Sequence, residues 1–94
     1  MDKPEARELL ALELNNWRRK AYSELSTQIG AGPFVAEVSG KSGASYQIEI
    51  ECHWDGKPNG DIRVLGAIDD GGLRAFAPLT DDFIMTPDGK FVGE

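Results

Sequence analysis

Cysteine and histidine each occur once in the 94 residues. A single cysteine, Cys52, excludes an internal disulfide framework, and with one histidine it excludes the familiar structural zinc spacings. No apolar run reaches membrane-spanning length, and the start, Met1-Asp2-Lys3-Pro4-Glu5, has no apolar stretch behind a basic one. Basic residues are also few: 10 against 16 acidic, a formal net charge of -6. A phosphate-backbone binder needs a basic stripe, so nucleic acid is not the expected partner, whereas a basic protein is. The chain reads as cytoplasmic and bacterial in style, with no membrane association and no cofactor.

What is present is ordinary globular material. With 40% apolar and 28% charged residues, the chain carries enough apolar surface for one core, and 94 residues are too few for two. From Lys3 to Ile29 no glycine interrupts, and Leu10, Leu14, Trp17, Ala21, Leu25 and Ile29 recur at three- and four-residue steps. That spacing predicts one amphipathic helix, opened by Asp2 and Pro4 and stopped by Gly30-Ala31-Gly32-Pro33. Leu9, Leu12 and Tyr22 widen its apolar stripe, as a helix lying on a sheet or pairing in a homodimer requires. Arg18, Arg19 and Lys20 form the only basic run and are expected as solvated neighbours of Glu13 and Glu24.

Beyond the helix the period changes from 3.6 to 2. Tyr46, Ile48, Ile50, Cys52 and Trp54 alternate with Gln47, Glu49, Glu51 and His53, the signature of a half-buried strand. A three-residue loop Lys41-Ser42-Gly43 joins it to a strand over 34–39, setting Val38 opposite Tyr46 and Phe34 opposite Ile50. Across Asp55–Asp61, Trp54 falls opposite Ile62, Ile50 opposite Gly66 and Ile48 opposite Ile68. Gly66 leaves room there for a close neighbour. Asp70-Gly71 is a preferred two-residue hairpin turn, predicting a fourth strand over 73–79 with Ile68 opposite Leu73 and Ile62 opposite Leu79. Thr80-Asp81-Asp82 suggests a short helical turn, and Pro87-Asp88-Gly89 a turn before a brief fifth strand. The fold expected is α+β: one helix on a four- or five-stranded antiparallel meander.

Little in the chain announces chemistry. Gly40-Lys41-Ser42 lacks the earlier glycine of a phosphate loop, Val35 standing in its place, and it leads into a strand instead of a helix. The clustered aspartates at 55 and 61, 69 and 70, and 81 and 82 have turn-former spacing and not that of a calcium loop. His53 is the one side chain suited to proton transfer near neutral pH, but no nucleophile, second base or oxyanion feature accompanies it. No catalytic residue and no metal ligand is assigned.

The same registers place Leu65 opposite Phe76 on the far side of the sheet, with His53 opposite Arg63. Either the segment from Phe83 to Val92 covers that apolar pair, or the pair anchors a recognition surface rimmed by Arg63, His53, Glu49 and Glu51. The acidic pairs Asp69 and Asp70, and Asp81 and Asp82, add steering charge. The expected function is that of a small acidic, non-enzymatic interaction domain, of inhibitor or immunity type, binding a basic protein through the outer sheet face or a sheet edge. The alternative is a small-molecule or divalent-cation-binding domain with weak hydrolytic chemistry at His53. The open first strand and the wide helix stripe make a homodimer a further expectation.

Overall fold

The computed structural model describes residues 1–71 and 78–94, and these form two helices and a four-stranded antiparallel sheet. Helix α1 spans Lys3–Arg18 and α2 spans Tyr22–Gln28. The strands β1 (Phe34–Ser39), β2 (Ser45–Trp54), β3 (Ile62–Asp69) and β4 (Leu79–Met85) lie side by side in chain order. This is the α+β arrangement that the change of period predicts.

Helix α1 starts where its capping residues place it. The Asp2 side chain accepts from the Glu5 N–H at 3.0 Å, and proline stands in the first turn. Ala6, Leu10, Leu14 and Trp17 form its buried stripe, which lies over β3 and β4. The helix does not continue to Ile29 as the spacing suggests. It ends at Arg18, and Ala21 adopts an extended conformation whose N–H donates to Glu24 Oε1 at 3.0 Å. An unbroken helix of 27 residues would run about 40 Å, longer than any strand here. The break instead brings Leu25 fully into the core over β2 and lets the Tyr22 hydroxyl donate to the Gly60 carbonyl at 2.7 Å.

Arg18 is likewise not a solvated neighbour of Glu13. Its guanidinium lies 4.7 Å from the centre of the Phe83 ring and pairs with Glu94 at 3.2 Å, while Glu13 accepts from the Trp17 indole N–H.

The first two hairpins have the expected registers. β1 pairs with β2 as Val38 to Tyr46, Ala36 to Ile48 and Phe34 to Ile50, around a loop whose Gly43 has φ +89°. β2 pairs with β3 as Trp54 to Ile62, Cys52 to Val64, Ile50 to Gly66 and Ile48 to Ile68. The Gly40-Lys41-Ser42 turn receives a carboxylate, not a phosphate. Glu5 accepts from the Ser42 N–H at 2.9 Å, the Ser42 hydroxyl at 2.7 Å and the Tyr46 hydroxyl at 2.7 Å, which ties the first turn of α1 to the hairpin. A β-carbon on Gly40 would collide with that carboxylate.

The third pairing differs. The strand expected over 73–79 falls mostly on residues 72–77, outside the described residues, and the place beside β3 belongs to β4. Ile68 faces Leu79, Val64 faces Phe83 and Ile62 faces Met85, so the registers of Ile68 with Leu73 and of Ile62 with Leu79 are overturned. Both assignments put apolar side chains on the core face, but opposite Val64 and Ile62 β4 offers Phe83 and Met85, where the earlier segment would offer Ala77 and Leu79. Burial of larger side chains decides between registers of equal parity. Thr80-Asp81-Asp82 therefore lies in a strand and caps no helix. After it, Thr86 and Lys90 close a turn, Phe91 bridges to Met85 and the Val92 N–H donates to the Ile84 carbonyl.

Gly66 sits under α1. A β-carbon there would lie 2.9 Å from Leu10 Cδ1, 3.1 Å from Ile50 Cδ1 and 3.3 Å from Leu14 Cδ2. The glycine thus sets how closely the helix approaches the sheet.

Candidate interaction site

With both helices on one side, alternation sends the other set of side chains to the opposite face of the sheet. In its middle Leu65 lies between Glu51 of β2 and Asp82 of β4 and is 37% exposed. The segment from Phe83 to Val92 does not cover it: Phe83 and Met85 are buried on the helix side, and Phe91 packs edge-on against Phe83 with ring centres 5.6 Å apart. The expected pairing of Leu65 with Phe76 is also corrected, since Asp82 takes that place; Phe76 itself lies outside the described residues.

Arg63 faces His53, as the register predicts, and Ile84 on its other side. Its guanidinium donates to Asp55 through Nη2 at 3.0 Å and Nε at 3.2 Å, and through Nη1 to Asp82. Asp55 foremost, and then Asp82, raise its pKa and hold it charged. The two carboxylates offset the one cation, so Arg63 works as a strut between the end of β2 and the middle of β4. His53 Nε2 stands 3.2 Å from Glu51 Oε2, both side chains being about half exposed. Glu49 faces Val35 on one side and Ala67 on the other, and accepts a long contact from Gln47 at 3.5 Å. Leu65, His53, Arg63, Glu49, Glu51 and Asp82 are thus brought onto one surface.

The remaining acidic candidates are not part of it. Asp69 stands at the far end of β3, where its side chain accepts from the Gly71 N–H at 2.8 Å. Asp70 lies 3.7 Å from the Met1 ammonium. Asp81 falls on the helix side by parity, and it borders a cleft of about 470 Å³ shared with Arg7, Leu10 and Leu79. Consecutive aspartates in a strand point to opposite faces, and only placing them in a strand separates Asp81 from Asp82. The sequence reading left out Ile84 and Val35 on the outer face; alternation within the correct fourth strand identifies Ile84. Cys52 is buried on the core side, away from His53, and burial pushes its thiol up to about 11. Among the described residues no three side chains of the histidine, cysteine, aspartate and glutamate types gather where they could hold a metal ion, and no helix is long and apolar enough to cross a membrane.

Comparison of the chain with protein-family models, curated proteins and solved structures finds no match.

Proposed function

We propose that the chain is a small non-enzymatic interaction domain whose outer sheet face binds a basic protein. The observation that carries this reading is Leu65, an apolar side chain exposed in the centre of a sheet face and set between two carboxylates. An apolar anchor inside a charged rim is the usual anatomy of a recognition patch. Glu37, Glu49, Glu51 and Asp82 all occur at outward positions, and Arg63, held by Asp55 and Asp82, leaves the patch acidic. Such a surface speeds encounter with a cationic partner and repels an acidic one. The cation-binding alternative has less support: among the described residues no three carboxylates gather, and the two that converge, Asp55 and Asp82, are taken by Arg63.

The test is capture of a basic protein by the wild-type chain, followed by measurement with both components pure. Leu65→Lys should abolish the purified complex while leaving the unfolding midpoint unchanged. Raising salt to about 1 M, where the Debye length is roughly 3 Å, should weaken it. A complex indifferent to both changes refutes the assignment.

A further inference from the structure

The two edges of the sheet are finished differently. On β4 the Ile84 carbonyl accepts from the Val92 N–H, Thr86 is bonded to Lys90, and the Asp82 N–H is occupied by the Asp81 side chain at 2.8 Å. The β1 edge has no such cover among the described residues. The Gly40 N–H donates to the Ala44 carbonyl, so by alternation Phe34, Ala36 and Val38 direct their backbone groups to β2. Val35, Glu37 and Ser39 direct theirs outward.

Side chains at this edge are also uncovered. Phe34 is 41% exposed although it stands on the helix side and meets Trp17 edge-on, and Val35 is 50% exposed. Leu12 is 57% exposed, and with Leu9 it borders a groove of about 430 Å³ above Ser39, Gly40 and Lys41. Edge strands that must stay single ordinarily carry lysine, proline or a bulge. Within Phe34–Ser39 the only charge is Glu37.

From these features we infer that the β1 edge is a self-pairing surface: a second copy of this chain adds its own β1 antiparallel, about a two-fold axis through Ala36. Independently of the outer-face reading, the strand's own sequence accommodates a second copy of itself and selects this register. An axis normal to the sheet keeps the helices of both copies on one side and pairs residues of equal parity. Centred on Ala36, it sets Val35 opposite Glu37 of the second copy, and these are the residues whose N–H and C=O groups point outward. Phe34 then falls opposite Val38 of the second copy, beside the Leu9 and Leu12 groove. Moving the centre to Glu37 would oppose two carboxylates, which is unfavourable in a directly facing pair. Centring on Val35 would use Pro33, which has no N–H to give. The pairing is isologous, as in most homodimers.

Sedimentation of the full chain from about 10 μM to about 1 mM should show the mass rising from one copy to two, the range expected for a small interface. A mass of one copy throughout overturns the inference. Val35→Pro removes an outward donor from each copy and leaves the β1–β2 bonds intact. It should raise the dimer dissociation constant about tenfold or more, with the far-ultraviolet spectrum unchanged. If that variant does not fold, Val35→Glu serves instead by facing Glu37 of the second copy, and should weaken the dimer several-fold. An unaltered dissociation constant overturns the inference. Register is read by cross-linking: Ala36 meets itself at a non-hydrogen-bonded pair with Cα atoms about 4.5 Å apart, within disulfide reach. Ala36→Cys should therefore oxidise to a covalent dimer, and Glu37→Cys should not. The reverse result refutes the register.

Discussion

Replacing Gly66 by alanine tests whether the helix-to-sheet distance is set where the contacts place it. Two effects oppose each other. Alanine removes backbone freedom from the unfolded chain, a gain of about 0.5–1 kcal/mol, and Gly66 is not among the glycines of positive φ, so no strain cancels that gain. Against it stands a methyl group 2.9 Å from Leu10 Cδ1, with Ile50 and Leu14 close behind. All three neighbours are buried, Leu10 at 2% exposure, so none can swing into solvent to make room. Forcing one extra carbon into a filled core costs about 1–3 kcal/mol. The clash wins, and Gly66→Ala should destabilise the fold by about 1 kcal/mol, lowering the melting midpoint by about 4–8 °C for a domain of this size. Urea unfolding followed by Trp17 and Trp54 fluorescence measures it. Leu10→Ala alone should cost about 2–5 kcal/mol through the cavity it leaves. With Gly66→Ala in the same chain the total should fall short of the sum, because the methyl enters that cavity. A neutral or stabilising Gly66→Ala, or strict additivity with Leu10→Ala, would show that α1 does not rest on this glycine.

Three further outcomes follow from groups with shifted titration. The Ser42 N–H foremost, with the Ser42 and Tyr46 hydroxyls, lowers the Glu5 pKa, so its contribution to stability is complete above the ordinary glutamate value and is lost as pH falls through the lowered one. Glu5→Gln should flatten the stability profile below about pH 5, leaving the acid slope from Asp88, which Thr86 lowers in the same way. The Glu5 hydrogen bond raises Tyr46 to about 12, which makes the complementary contribution full below the ordinary value of 10 and lost between there and 12. In Glu5→Gln the phenolate absorbance of Tyr46 should therefore appear at lower pH, and identical titrations in both proteins would refute the triad. Cys52, with its thiol near 11, should label with a thiol reagent orders of magnitude more slowly in the folded chain than after unfolding, since roughly one molecule in a thousand carries the thiolate at pH 8. Labelling at the rate of a free thiol would show that the β2 core face opens.

The sequence made some parts of this fold legible and not others, for physical reasons that differ. The β1, β2 and β3 registers were readable because short turns and period-two alternation constrain each other, and a slip of one residue would bury Glu49 and Glu51. The fourth strand was not readable in that way. Asp70-Gly71 is a strong local signal, but a shift of six residues preserves parity, so the bulk of Phe83 and Met85 against Ala77 and Leu79 separates the two registers. The break at Arg19–Ala21 left little trace either, because Leu25 keeps helical spacing whether or not the helix bends. Glu24, three residues after Ala21, is half of a capping box whose usual serine or threonine is absent. At the outer face, His53, Arg63, Glu49, Glu51 and Leu65 followed from alternation alone. Asp82 and Ile84 required the correct fourth strand, and the hold of Arg63 on Asp55 and Asp82 came with it.

The turn that follows β4 also fixes the valence of the sheet. An antiparallel sheet with two open edges is a monomer for a fibre, since each added copy exposes a fresh edge to the next. Here Val92 and the Asp81 carboxylate occupy backbone positions that an incoming strand on the β4 side would need. In the self-pairing inferred above, a pair joined at β1 would present β4 edges at both ends, and growth would stop there. Only removal of the Val92 and Lys90 contacts together with the Asp81 carboxylate would bare that edge and turn a self-limited pair into a unit able to polymerise.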